Sequence, residues 1–232
     1  MNRVIGILGG MGPEATLDLY RQIIRLTPAR RDQDHIRVLI YSNPKIPDRT
    51  RAIKGQGESP LPFLIESAGI LEKGGAGIIA VPCNASHHYL GELRRKITTP
   101  VLDMVAETCG KLVKTGPDIK TAGLLATEGT LQSGVYHRAL SAAGIDIMLP
   151  GDREQKQLNE AISEIKAGIR DASTRMRFHS IAARLIDDGA QAIILGCTEI
   201  PLALDPETVE FLCLNSTRVL AEAAVAWALG KR

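Results

Sequence analysis

The chain has 232 residues, 44% of them hydrophobic, enough to build a buried core in one larger domain or two small ones. Its 28 Lys and Arg nearly cancel 26 Asp and Glu, no long basic run occurs, and only 3% of residues are aromatic, which argues against nucleic acid as a partner. No apolar run approaches the roughly 18 residues of a membrane span, and Val4 to Gly10 is too short and glycine-broken for a signal-peptide core, so a cytoplasmic protein without membrane contact is expected.

Short β-branched apolar runs alternate with stretches of helical period. Val4 to Leu8 reads as a strand, Ala15 to Leu26 as a helix, Ile36 to Tyr41 as a strand, Leu61 to Leu71 as a helix and Gly77 to Val81 as a strand. Pro100 to Leu102 follows, then a helix near Val105 to Lys114, the run Thr121 to Ala126 and a helix near Ser133 to Ala143. Ile145 to Leu149 precedes helices near Glu154 to Gly168 and Thr174 to Asp188. Strands Ala192 to Leu195 and Phe211 to Leu214 and a helix Thr217 to Leu229 complete the series. Such alternation predicts βαβ units and parallel sheets, an α/β protein.

The two halves repeat one another. Gly75-Ala76-Gly77-Ile78-Ile79-Ala80-Val81-Pro82-Cys83-Asn84 aligns without gaps on Gly189-Ala190-Gln191-Ala192-Ile193-Ile194-Leu195-Gly196-Cys197-Thr198. Gly6-Ile7-Leu8 with Gly12 matches Gly123-Leu124-Leu125 with Gly129, and Val101 to Asp103 is echoed loosely by Leu212 to Asn215. The expected fold is therefore two similar parallel-sheet α/β domains related by a pseudo-twofold axis. Their strand carboxyl ends would meet at a shared cleft, where parallel sheets bind ligands.

Cys83 and Cys197 fall at that cleft, whereas Cys109 lies in a helical pattern and Cys213 in a strand; the four form no CxxC pair and no metal-ligand cluster. Each of the first two precedes a segment able to start a helix, whose free N–H groups would favour thiolate, so a lowered thiol pKa is expected for both. A cysteine at a strand end commonly just packs. Two at equivalent places of a duplication suit another use: racemisation needs a base on one side of a carbon and an acid on the other, with the roles exchangeable.

With Gly6-Ile7-Leu8-Gly9-Gly10-Met11-Gly12-Pro13, Ser42-Asn43-Pro44-Lys45-Ile46-Pro47-Asp48-Arg49-Thr50, Pro82-Cys83-Asn84, Gly123 to Thr130, Ile165-Lys166-Ala167-Gly168 and Gly196-Cys197-Thr198-Glu199, the sequence resembles the aspartate/glutamate racemase family, and within it the aspartate racemases, nearly end to end. The resemblance implies proton transfer by Cys83 and Cys197, no pyridoxal phosphate or other cofactor, no metal, and usually a homodimer. It also implies that the last helix returns to the first domain, giving 1–98 plus 215–232 as the domain of Cys83 and 99–214 as that of Cys197. The function implied is cofactor-independent interconversion of L- and D-aspartate, with glutamate a further substrate. Another two-thiol isomerase of a small carboxylic acid, or a non-catalytic carboxylate binder, are the alternatives.

Arg49 and Lys166 match the family's carboxylate-handling residues, and a dicarboxylate does need two cationic anchors. A solvated surface charge and a helix C-terminal charge are their plainer readings. The substrate-binding set expected from motif and resemblance is Met11, Gly12, Arg49, Thr50, Asn84, Ala85, Ser86, Thr127, Lys166, Thr198 and Glu199. One departure stands out: relatives commonly read Asn-Thr-Ala-His after the first cysteine, whereas this chain reads Asn84-Ala85-Ser86-His87, so a hydroxyl that commonly meets the α-carboxylate is missing unless Ser86 or backbone N–H groups replace it. Asn215, where relatives often carry Asp, is expected to cap the last helix. The Gly6 to Gly12 opening lacks the P-loop register; it is either an anion-approaching turn or a structural one. His87 either tunes the Cys83 thiol or caps, Glu199 either orients a substrate amino group or favours a helix start, and Thr130 is expected to cap a helix.

Overall fold

The computed structural model describes residues 3–231; residues 1, 2 and 232, which the expected first domain includes, lie outside the described residues. The first sheet comprises β1 (Ile5–Gly9), β2 (Val38–Ser42) and β3 (Ile78–Ala80), parallel in the order β2-β1-β3. The second comprises β4 (Thr121–Leu125), β5 (Asp146–Met148), β6 (Ala192–Leu195) and β7 (Cys213–Asn215), parallel in the order β5-β4-β6-β7. Val101 adds an isolated parallel bridge to Ile79. With that bridge in the place of a fourth strand, both sheets have one strand order, and the sequence-matched strands β1 and β4, and β3 and β6, hold equivalent positions. The bridge also carries the first sheet's pairing past the expected division at 98/99.

The helices are α1 (Pro13–Leu26), α2 (Arg49–Ile53), α3 (Leu61–Lys73), α4 (Leu90–Arg94), α5 (Met104–Thr115), α6 (Glu128–Ser133), α7 (Val135–Ala142), α8 (Asp152–Lys166), α9 (Ala172–Asp187) and α10 (Ser216–Ala228). The central strands β1, β3 and β6 are buried on both faces, as strands of continuous apolar character require, while the edge strands β2 and β5 are half-buried. In β1 and β3, Ile5, Ile7, Ile78 and Ala80 point to a core closed by Leu19 and Ile23 of α1 and Leu220 and Ala224 of α10. Leu8, Ile79 and Val81 point the other way, to Leu64, Ala68 and Leu71 of α3. The period of two repeats in the second sheet. Ala192 and Ile194 meet Leu112 of α5 and Tyr136 and Leu140 of α7, while Ile193 and Leu195 meet Leu158 and Ile162 of α8 and Phe178 and Leu185 of α9. Full burial of each such Leu or Ile contributes about 1.5–3 kcal/mol, so the pleat fixes which residues face inward.

Two connections join the halves. Met104 at the start of α5 sits in the first core while Val105, Cys109 and Leu112 sit in the second. The chain leaves β7 through Asn215, whose side chain caps α10 by accepting from the N–H groups of Thr217 and Arg218, and α10 then packs in the first core. The helix expected near Ser133 to Ala143 is α7, which begins at Val135 because Gly134 adopts φ 66, a left-handed conformation that ends the preceding short helix α6, itself not expected. Pro100 to Leu102, read as a strand, pairs through Val101 alone.

Candidate active site

Both sheets end their strands on one narrow cavity of ≈ 30 Å³. Cys83 follows β3 and Cys197 follows β6, each only 7% exposed and each lining that cavity. A hydrogen bond runs directly between the two cysteine segments: Thr198 Oγ1 donates to the carbonyl of Pro82 at 3.4 Å. Equivalent strands thus deliver the two thiols to one space.

The remaining walls come from loops and short helices. After β1, Gly10 has φ 95, and a Cβ there would lie 2.3–2.5 Å from the backbone of Asn43, so only glycine lets the two loops pack and bring Met11 to the cavity. Asp48 caps α2 by accepting from the N–H of Arg51 at 2.8 Å, which sets Arg49 and Thr50 at the cavity wall. Arg49 Nη1 donates to the carbonyls of Ile46 and Pro47 at 3.1 and 2.9 Å, and its buried Nε has no protein partner. Lys166, the last residue of α8, closes the opposite side. Lys54 of the first half pairs with Glu128 of the second, and Arg170 of the second pairs with Glu14 of the first at 2.6 Å, so ion pairs link the halves.

The model of the family described as Asp/Glu/Hydantoin racemase matches residues 8–224. The chain belongs to that family. A broad specificity amino-acid racemase of Bacillus subtilis is 31% identical over 227 residues, covering 96% of this chain and 97% of the relative. The Picrophilus torridus aspartate racemase structure superposes with a TM-score of 0.85 at 30% identity, covering 97% of this chain and 94% of that one. A glutamate racemase from Francisella tularensis shares the fold, with a TM-score of 0.73 at 16% identity over 99% of this chain and 82% of that chain.

In this racemase the structure gathers Met11, Arg49, Thr50, Cys83, Asn84, Ala85, Thr127, Lys166, Thr198 and Glu199 around the cavity, joined by Asp48, Thr130 and Gly196, which the sequence had not placed there. An N-cap residue directly before Arg49 was the available signal for Asp48. Gly12 reaches the site through its N–H, which donates to Glu199 Oε1 at 3.3 Å. Ser86 does not join them. Its hydroxyl donates to the carbonyl of Cys83 at 2.7 Å and the residue lines a separate small cavity with Leu64 and Leu93, so it cannot replace the hydroxyl missing at Ala85. His87 likewise turns from the thiol. The N–H of Met104 donates to its Nε2 at 3.0 Å, so the ring proton is on Nδ1 and is donated to the carbonyl of Cys83 at 2.9 Å. Capping of α6 falls to Thr127, whose Oγ1 accepts from the N–H of Thr130, and not to Thr130 as expected.

Expected thiolate character fails for Cys197. Burial, reinforced by the charge of Glu199, pushes this thiol well above the ordinary cysteine value, against the smaller opposing pull of Lys166. The segment after it is only a three-residue 3-10 turn, Ile200–Leu202, too short to supply the N–H field the sequence suggested. Lys166 is exposed as a residue, yet enough protein surrounds it for desolvation to pull its ammonium pKa down. The Glu199 carboxylate, and the two sulfurs when they ionise, override that pull and hold it above the ordinary lysine value. Burial pushes Cys109 and Cys213 up to about 12, and neither lines this cavity. A larger cavity of ≈ 1020 Å³ lies between α1, α10 and the segment after Cys197, and neither Cys83 nor Cys197 borders it. Among the described residues no group of three or more His, Cys, Asp or Glu side chains is placed to hold a metal ion.

Proposed function

We propose that this racemase interconverts L- and D-aspartate by two-base proton transfer between Cys83 and Cys197, without a cofactor. The observation that carries the reading is the pair of thiols, borne by equivalent strands of a duplicated fold and lining one narrow cavity with Arg49 and Lys166. A thiolate on one face takes the α-proton, and the electron pair of the broken C–H bond spreads into the α-carboxylate. The opposite thiol gives its proton to the other face, leaving a thiolate. Charge developing on the carboxylate is greatest between these two steps, where a fixed cation stabilises it most, and Lys166, held above the ordinary lysine value beside the sulfurs, is such a cation. Arg49, with a buried and unpartnered Nε, supplies a donor to the second carboxylate.

The Picrophilus torridus relative supports aspartate as substrate. A wider amino-acid range is the second reading, favoured by the broad specificity relative and by the apolar wall at Ala85, where Ser86 offers no hydroxyl. In either case the enzyme works as a cytoplasmic homodimer whose chain passes between the halves near Met104 and again near Asn215. Four free cysteines suit a reducing compartment, and sedimentation tests the dimer.

Exchange of the α-proton of L- and D-aspartate in deuterated water, run on wild type, Cys83→Ser and Cys197→Ser, tests the reaction. Wild type should exchange and racemise, and each variant should lose racemisation. Absence of exchange with aspartate, glutamate and other small amino acids would end the racemase reading, and full activity of either variant would end the two-base mechanism.

A further inference from the structure

The duplication that equates Cys83 with Cys197 also equates Ala85 with Glu199, the second residue after each thiol. At this position the two halves differ in charge within the catalytic cavity. Cys197 Sγ donates to Glu199 Oε2 at 3.1 Å, Thr198 Oγ1 lies 3.3 Å from the same oxygen, and the N–H of Gly12 from the other half donates to Oε1 at 3.3 Å. Glu199 is 4% exposed, so its carboxylate is held in place by donors from both halves and barely reached by water. At the equivalent position after Cys83 stands only the methyl group of Ala85, and the polar side chains Ser86 and His87 bond the Cys83 backbone carbonyl.

We infer that Glu199 holds Cys197 in its protonated form, so that in the free enzyme Cys197 is the thiol set to give a proton. The inference rests on the two-thiol reading above and deepens it. Ionising Cys197 would remove the proton shared with Oε2 and set two negative atoms about 3 Å apart in a site nearly free of water, the arrangement that most disfavours a second charge. Lys166 on α8 and the backbone N–H of Glu199 oppose this, but more weakly than burial and the carboxylate together. Glu199 is accordingly a positioning residue: it acts through Cys197.

The consequence is directional. The substrate enantiomer whose α-hydrogen faces Cys83 meets a Cys197 that already carries the proton it must give. Its Cα–H bond breaks as the Cys83 S–H bond forms, then the Cys197 S–H bond breaks as the new Cα–H bond forms. Product leaves Cys197 as a thiolate against Glu199, and a proton returns to it through water while Cys83 releases one. The opposite enantiomer must be captured by this disfavoured form before it relaxes. Because the equilibrium constant of racemisation is one, kcat/KM is equal for both enantiomers, and the asymmetry appears as kcat and KM differing between them by the same factor.

The test is the pH dependence of iodoacetamide alkylation, resolved cysteine by cysteine by mass spectrometry, on wild type, Glu199→Gln and Glu199→Asp. This readout needs no turnover, so it is separable from failure of the racemase reading. Glu199→Gln should increase alkylation of Cys197 at pH 8 at least tenfold, the effect of a one-unit shift in thiol titration, with little change at Cys83. Glu199→Asp, which restores the charge, should return Cys197 toward the wild-type profile. In kinetics, Glu199→Gln should narrow the difference in kcat between the enantiomers. A folded Glu199→Gln protein whose Cys197 profile stays within 0.3 pH units of wild type overturns the inference, as does an equal shift at both thiols.

Discussion

Removing the one hydroxyl that holds Asn84 in place should disturb the site. Tyr136 on α7 is fully buried, and its hydroxyl donates to Asn84 Oδ1 at 2.7 Å. Asn84 Nδ2 donates to Ser216 Oγ at 3.1 Å, and Ser216 Oγ donates to the carbonyl of Leu195 at 2.8 Å. This chain ties the residue after Cys83 to β6, α7 and α10, and burial pushes the phenol well above the ordinary tyrosine value, so it stays a donor. Tyr136→Phe keeps the ring but leaves Asn84 Oδ1 without its partner at a residue 2% exposed. An unsatisfied buried acceptor costs about 1–3 kcal/mol, which for a chain of this size lowers Tm by roughly 2–12 °C. Activity should also fall, because Asn84 is freed to rotate beside the Cys83 thiol. The assay pairs calorimetry with initial rates, and a double-mutant cycle with Ser216→Ala should show coupling of about 0.5–3 kcal/mol through the shared Asn84. A Tyr136→Phe protein within about 0.5 kcal/mol of wild type, with unchanged kcat, would refute the role given to this network.

Burial holds the imidazole of His87 below the ordinary histidine value, so around and below pH 6.5 the folded protein binds fewer protons than the unfolded chain. Its contribution is full above that pH and declines as pH falls toward the folded value, with a slope of up to about 1.4 kcal/mol per pH unit. His87→Asn, which keeps a donor for Cys83 and does not titrate, should flatten the fall in Tm between pH 7 and 5.5; an unaltered slope would assign that fall to other groups. Arg49→Ala should raise KM for aspartate roughly 10- to 100-fold, the equivalent of one lost charge-assisted contact, and should affect a monocarboxylic amino acid far less. Equal effects on both would remove Arg49 as the anchor of the side-chain carboxylate.

The strand carrying each thiol was legible because its signal is local: β-branched runs such as Ala192 to Leu195 end in a glycine or proline followed by cysteine, and the match between Gly75–Asn84 and Gly189–Thr198 needs no knowledge of the fold. Parallel strands whose faces are both buried leave a continuous apolar run that a sequence displays directly. The short pieces were not legible. Five residues of α2 carry too little periodicity to register, and the break at Gly134 depends on a φ that glycine permits but does not demand.

The sequence by itself determined the duplicated α/β architecture and the pair of cysteines, since both rest on patterns repeated along one chain. Tertiary structure alone decided what surrounds them. Whether Ser86 faces a ligand or the Cys83 carbonyl, which nitrogen of His87 carries the proton, and whether Cys197 rests as thiol or thiolate all depend on atoms distant in sequence, Met104 for the histidine and Gly12 for Glu199 among them. Hydrogen bonds and desolvation act over a few ångströms in space, and no spacing along the chain encodes which groups will stand that close.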